Sequence, residues 1–321
     1  MHDKKIVCLG GGIGTVNLVK GLKTYTKQLT VIVSTADDGG SAGRLRRLYN
    51  VPPPGDIVSC IAALSQKERA FSNLLTYRFP GNRYGSDDVI SGHKLGNLML
   101  VAAWKSTRNV ANGVRLLQAL FQSQGTILPA TTENITLSAK TVDGVVVKSE
   151  KNIDLGEYNG QRVLDRVFIH PKNPDVSRDV ISAFHKADCI IAGPGDLYTT
   201  ILPVLIIPKI KALILETNMP KFFIVNVANK PFETKGYAVS DFIKAIEKHL
   251  GSFPFHKIVV NNNFAFPIPK KYKYTYVTLS ENANNKGNTP YECLTSDLID
   301  ESFPLHHDAI KLASFIRKML E

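Results

Sequence analysis

Residues 6–16, Ile-Val-Cys-Leu-Gly-Gly-Gly-Ile-Gly-Thr-Val, decide the fold. Four apolar residues in a row read as a strand buried on both faces, and the glycines after them read as a flexible turn. Val16, Leu18, Val19 and Leu22 then recur at helical spacing, which predicts a short helix returning over the strand. Residues 30–35, Thr-Val-Ile-Val-Ser-Thr, supply a second strand of mostly β-branched side chains. The segment is therefore a βαβ unit.

The same alternation continues outward from this unit. A helical stripe of Val176, Val180, Ala183, Phe184 and Ala187 runs into the strand Cys189-Ile190-Ile191-Ala192. The strand at 222–227 precedes a helix with Val239, Phe242, Ile243, Ile246 and Leu250 on one face, and residues 257–260 form another buried strand. A closing amphipathic helix carries Ala309, Leu312, Ala313, Ile316, Met319 and Leu320. The pattern predicts an α/β fold with a doubly wound, mostly parallel sheet. It is expected as a single domain over 1–321, with a helical insertion at 91–124 and a β-rich insertion at 126–170 around an Asp143-Gly144 turn.

Composition narrows the class. A chain of 321 residues that is 44% hydrophobic has enough apolar material for a sizeable core, which excludes disorder. The longest apolar runs are too short to cross a bilayer and no apolar signal segment follows the first five residues, so a cytoplasmic protein without a membrane span is expected. Cys8, Cys60, Cys189 and Cys293 form no C-x-x-C pair, which argues against a disulfide framework or a zinc knuckle. The net charge of +11 comes from lysines spread along the chain, with Lys270, Lys271 and Lys273 the one notable cluster. An anionic small ligand explains that charge at least as well as nucleic acid, which is not expected as a partner.

Five motifs could carry chemistry. Gly10-Gly11-Gly12-Ile13-Gly14-Thr15 lies between strand and helix, where glycines admit a phosphate and the helix N-terminus offers free N–H groups. Thr15 stands where a dinucleotide fingerprint needs its third glycine, and no Gly-Lys-Ser/Thr follows, so neither that fingerprint nor a P-loop is present. A second glycine loop, residues 36–44, follows the second strand. There Asp37 and Asp38 could bind a metal, accept from ribose hydroxyls or act as a base, while Ser41 and Arg44 could hold phosphate oxygens. Asp56, after three prolines, reads equally well as a helix N-cap or a ligand contact. A third loop, Gly193-Pro194-Gly195-Asp196-Leu197-Tyr198-Thr199, again follows a strand, and three such loops converge on the crevice where strand order reverses. His93 and Asn97 open an apolar helix, where a lone histidine is more often structural than catalytic.

In order and spacing, GGGIGT, TADDGGSAGRLR, PPPGDI, GHKLGNL and GPGDLYTTILP resemble the gluconeogenesis factor family, relatives of the deazaflavin phospholactate transferases. The resemblance runs from about Lys5 to the C-terminal helix. It implies a Rossmann-like fold and a cytosolic protein that binds a UDP-sugar such as UDP-N-acetylglucosamine or UDP-glucose, linked to carbon metabolism, cell shape and cell-wall synthesis. It also implies that Gly11, Gly12, Gly14 and the loop Gly193 to Thr199 face the nucleotide, while Asp37, Asp38 and Asp56 face the sugar or reactive end. Two segments depart from the family: Ala228-Asn229-Lys230-Pro231-Phe232-Glu233-Thr234 replaces Met-Thr-Gln-Pro-Gly-Glu-Thr, and His306-His307-Asp308 replaces Arg-His-Asp. His306 is thus the candidate to take over the ligand-binding role of an arginine.

Two function classes follow from these residues. The first is a nucleotide-sugar-binding regulatory protein, with room for a regulatory protein partner and for a homo-oligomer. The second is a transferase of a substituted phosphate group, acting on a nucleotide-diphosphate donor and a deazaflavin-like acceptor. In that reading Asp38 or Asp56 would hold Mg2+ against the pyrophosphate, and these two aspartates are the catalytic candidates.

Overall fold

The computed structural model describes residues 4–86, 89–159, 163–279 and 290–321. Its strands, in chain order, are β1 (Ile6–Gly10), β2 (Leu29–Val33), β3 (Thr126–Pro129), β4 (Thr136–Thr141), β5 (Val146–Lys148), β6 (Leu164–His170), β7 (Cys189–Ala192), β8 (Lys221–Ile224), β9 (Ala228–Asn229), β10 (Lys257–Asn261), β11 (Thr275–Tyr276) and β12 (Glu292–Ser296). The first six helices are α1 (Gly12–Leu22), α2 (Gly40–Tyr49), α3 (Gly55–Leu64), α4 (Arg69–Thr76), α5 (Leu95–Thr107) and α6 (Val110–Leu120). They are followed by α7 (Glu150–Leu155), α8 (Arg178–Lys186), α9 (Leu202–Leu205), α10 (Pro208–Glu216), α11 (Val239–Leu250) and α12 (Ala309–Leu320).

Seven strands form one parallel sheet in the order β12-β10-β8-β7-β1-β2-β3. Side chains alternate across a strand, so each strand feeds two cores. Val7, Leu9, Ile190, Ala192, Phe223 and Val260 pack on one face with the antiparallel strands β4 and β6 and helices α8 to α11. Ile6, Cys8, Val31, Cys189, Ile191 and Phe222 pack on the other with α1, α3, α5, α6 and α12. Both faces are covered, which is why the strands read as continuous apolar runs. The sheet is the expected doubly wound α/β architecture.

The expected insertions divide differently. Helices α5 and α6 fall within 91–124, but Leu100, Trp104, Val114 and Leu117 belong to the second core, so these helices are a layer of the main fold. β3, at the start of 126–170, is the edge strand of the main sheet beside β2. Within 126–170, β4, β5 and β6 form a separate antiparallel sheet, in the order β5-β4-β6. Four apolar residues cannot reveal by periodicity which sheet they join. Residues 160–162 of the expected insertion lie outside the described residues.

The C-terminal helix docks beside α1 through a close approach. A Cβ on Gly21 would lie 2.0 Å from the Ala309 carbonyl oxygen, so the contact requires glycine. Asp308 caps α12, accepting from the N–H groups of Ile310 and Lys311 at 2.8 and 2.7 Å, which brings the preceding histidines to the crevice above β1.

Candidate functional site

Strand order reverses between β1 and β7, and the loops leaving their carboxyl ends touch. The Thr15 hydroxyl accepts from the Gly11 N–H at 2.9 Å and donates to the Pro194 carbonyl at 3.2 Å. A Cβ on Gly14 would lie 2.5 Å from that same carbonyl, so Gly14 is required by loop packing. Gly12 differs. Its φ is +64° and, among the described residues, no atom lies within 4 Å of where its Cβ would stand, so it combines a glycine-favoring backbone with open space. It borders a cavity of about 310 Å³ lined also by Ile13, Asp196, Lys230, Tyr274 and His306. Gly195 borders it too, its N–H donating to Asn226 Oδ1 at 2.9 Å.

The first helix N-terminus is not bare. A Cβ on Gly11 would lie 2.3 Å from Asp56 Oδ2, and the Gly12 N–H donates to the Asp56 carboxylate. Asp56 sits in the first turn of α3, where Pro54 is the N-cap and no side-chain cap bond forms. Its carboxylate therefore serves α1 across space and does not cap its own helix. Burial pushes the Asp56 carboxyl above its ordinary value, partly offset by that N–H and by Lys94.

Asp37 accepts from the Gly39 N–H at 2.8 Å and shares a hydrogen bond with the carboxyl of Glu150. Burial, then the neighboring Asp56 charge, lifts Asp37 to about 6. Burial, then Asp37, pushes Glu150 up to about 11, so the pair holds a proton at neutral pH. Asp38 turns elsewhere: its Oδ1 accepts from the Ser149 hydroxyl at 2.8 Å and the Lys151 N–H at 2.9 Å. That carboxylate anchors the start of α7 to the main sheet.

The loop after β7 is also held by a carboxylate. Glu233 accepts from the N–H groups of Tyr198 and Thr199 at 3.1 and 3.3 Å and from the Thr199 hydroxyl at 2.8 Å. Tyr198 points into the core, its hydroxyl 2.8 Å from that of Tyr237, and Leu197 is buried. Asp196 faces the cavity and pairs with Lys230 at 2.8 Å. Lys230 also contacts Asp154, and Glu233 at 3.2 Å. Burial works against the Lys230 charge, yet Asp196, Glu233 and Asp154 hold its ammonium well above the ordinary lysine value. Among the described residues, these three acids are the group close enough to share one metal ion, and an ammonium already stands among them.

A larger cavity, of about 730 Å³, opens on the other side of Gly12 and Ile13. Asp37, Ser41, Asp56 and Asn97 line it, together with Arg78 and Lys94. Ser41 accepts from Arg78 Nη1 at 3.0 Å. Arg44 is buried and donates instead to the carbonyls of Asn82, Ser91 and Val89, so it braces the chain at those three positions. His93 is buried, with its carbonyl accepting from the Phe79 N–H at 2.9 Å. A further cavity of about 560 Å³ lies at the amino ends of β1, β2 and β3 and carries none of the motif residues.

The structure thus gathers Gly12, Asp37, Asp56, Asp196 and His306 around the two adjoining cavities. It assigns Gly14, Arg44, Tyr198 and Asp38 to internal contacts. His306 stacks on Phe303 at 5.0 Å, and burial lowers its pKa although Asp196 and Asp300 act upward. Its fully buried neighbor His307 is pushed down to about 3. Sequence reasoning missed Glu150, Asp154, Lys230, Glu233, Arg78, Arg83 and Lys94 as site residues. The departure at 228–234 signals Lys230 and Glu233, and the GHKLGNL motif contains Lys94.

Comparison with known proteins matches this architecture. The family described as 2-phospho-L-lactate transferase CofD matches residues 6–299. A putative gluconeogenesis factor of Aquifex aeolicus is 35% identical, the alignment covering 100% of this chain and 98% of that one. The gluconeogenesis factor of Bacillus subtilis is 36% identical over 99% of this chain and 98% of its own length. A crystal structure of a UPF0052 family member from Bacillus halodurans superposes with a TM-score of 0.88 at 34% identity, covering 99% of each chain. With its parallel sheet, its paired glycine loops and these full-length similarities, the chain belongs to the CofD-like superfamily, in the gluconeogenesis factor family.

Proposed function

We propose that the chain binds a nucleotide diphosphate sugar, UDP-N-acetylglucosamine or UDP-glucose, in the crevice between the Gly12 loop and the Asp196 loop. In this reading it is a cytosolic regulatory protein acting on carbon metabolism, cell shape and cell-wall synthesis. The observation that carries the reading is Gly12, with φ +64° and open space where a side chain would be, at the point where strand order reverses.

Electrostatics sets a condition on that ligand. Asp37, Asp56, Asp154, Asp196 and Glu150 face the same region of the crevice, and a pyrophosphate cannot approach them without a cation between. Lys230 is one such cation. The oxygen-only donors of Asp37 and Asp56 fit Mg2+ as a second, whereas Asp38 is spent on α7. When bound, Mg2+ would neutralize the pyrophosphate and displace the proton held by Asp37 and Glu150.

A second reading is a transferase of a substituted phosphate group. Two cavities meeting at Gly12 and Ile13, with carboxylates along the seam, favor it, because a donor and an acceptor could lie on either side. Asp56 at the seam would orient the acceptor, and the Asp37–Glu150 pair would accept a proton. Calorimetry with UDP-N-acetylglucosamine, UDP-glucose and NAD, with and without magnesium, tests both readings. Binding of NAD but of neither UDP-sugar would overturn the first, and affinity indifferent to magnesium would overturn the second and remove the metal ion from the first.

A further inference from the structure

We propose that the cavity of about 730 Å³ is a second ligand site, built for a small phosphorylated or carboxylated polyol. It has the size of an ordinary small-molecule site. Lys20, Arg69, Arg78, Arg83 and Lys94 all reach its wall, and among the described residues none of the five forms an ion pair with a carboxylate. Lys94 has a single hydrogen-bond contact, with the Ser59 hydroxyl at 3.3 Å. Burial, then Arg78, lowers its pKa, while Asp56 and Asp37, on the same cavity wall but outside ion-pair distance, act upward. A desolvated ammonium with unspent donors beside two arginines is a costly arrangement that an arriving anion relieves.

Asn97 gives an independent sign. It is only 1% exposed and lines the cavity, yet its Oδ1 has no hydrogen-bond partner among the described residues. A buried acceptor without a donor is uncommon and points to a ligand that brings one. Ser59, Ser72, Asn73 and Thr76 continue a hydroxyl and amide wall, which suits a ligand with several hydroxyls. Among the described residues no aromatic ring lines the cavity, so a planar ring system would find no face to stack on. The site meets the nucleotide crevice at Gly12 and Ile13, but its recognition residues are its own, so it stands whether or not the nucleotide reading does.

The test is calorimetry on the full chain with glucose 6-phosphate, gluconate, glucose and inorganic phosphate. The expected result is binding of glucose 6-phosphate or gluconate, with glucose silent and inorganic phosphate weaker than either binder. Lys94→Gln and Arg83→Gln should each weaken that binding about tenfold or more, with the unfolding temperature unchanged in at least the exposed-loop Arg83 variant. Tighter glucose 6-phosphate identifies a phosphate ligand, and tighter gluconate a carboxylate. Silence from both, equal affinity in both variants, or inorganic phosphate binding as tightly as the polyols would overturn the proposal. Saturating UDP-N-acetylglucosamine should leave the polyol heat in place, and its displacement would also overturn a second site. If the UDP-sugar itself fails to bind while the polyol binds, only the nucleotide reading falls.

Discussion

Lys230 Nζ lies 2.8 Å from Asp196 Oδ2 and reaches Asp154 and Glu233 with the same ammonium. One cation thus joins the helix between β5 and β6, the loop after β7 and the segment after β9. Glu233 in turn holds the N–H groups of Tyr198 and Thr199. The edge of the crevice is therefore held by charge, at a position where the family resemblance implies a neutral glutamine.

Lys230→Met should leave three carboxylates crowded without their counter-ion. Loss of one partner from such a partly buried cluster is expected to cost about 2–4 kcal/mol. Chemical denaturation should show this loss, and millimolar magnesium or calcium should restore part of it in the variant but not in the parent, because a divalent ion can then enter.

Glu150→Gln should stabilize the ligand-free protein at neutral pH. The folded state holds the Glu150 carboxyl at about 11, above its ordinary value near 4.3, so at neutral pH the unfolded chain is deprotonated there and folding must take up a proton. Stability from this group is complete below the ordinary value and is lost as pH rises toward the folded one. Unfolding temperatures between pH 5 and 9 should fall with pH in the parent and fall less in Glu150→Gln.

How much of this was legible in the sequence follows from range. Continuous apolar runs such as Cys189 to Ala192 reveal buried parallel strands, because burial on both faces leaves its mark at every position. The glycine loops reveal the crevice for the same local reason. The partners that occupy it are long-range: Asp38 meets Ser149 across 111 positions, and Asp56 reaches Gly12 from another helix. Glu150 sits in the polar run Lys148-Ser149-Glu150-Lys151, where nothing local separates a buried carboxyl from a solvated one. Arg44 looked like a phosphate ligand by its neighbors, yet its donors go to the carbonyls of Asn82, Ser91 and Val89.

Gly12→Val should abolish nucleotide-sugar binding while the fold survives. Its side chain would enter the open crevice, and the positive φ adds strain of about 1–2 kcal/mol, small against a stability of about 5–15 kcal/mol. Unchanged affinity by calorimetry would reduce the loop to a turn.

His306 should not act as a cation near neutrality. Burial holds its pKa below the ordinary 6.5, so affinity for a nucleotide sugar should stay level from pH 8 to about pH 6.5. His306→Arg would bring a permanent charge beside Asp196 and should tighten binding at pH 8. A parent affinity that rises steadily across that range would show a charged imidazole at the ligand.

The most direct test of the central claim is titration calorimetry of the parent protein with UDP-N-acetylglucosamine, with and without magnesium, beside the same titration of Gly12→Val. The account predicts saturable binding that magnesium strengthens, and no heat in the folded variant. Absence of binding under both conditions, or equal binding in Gly12→Val, would contradict it.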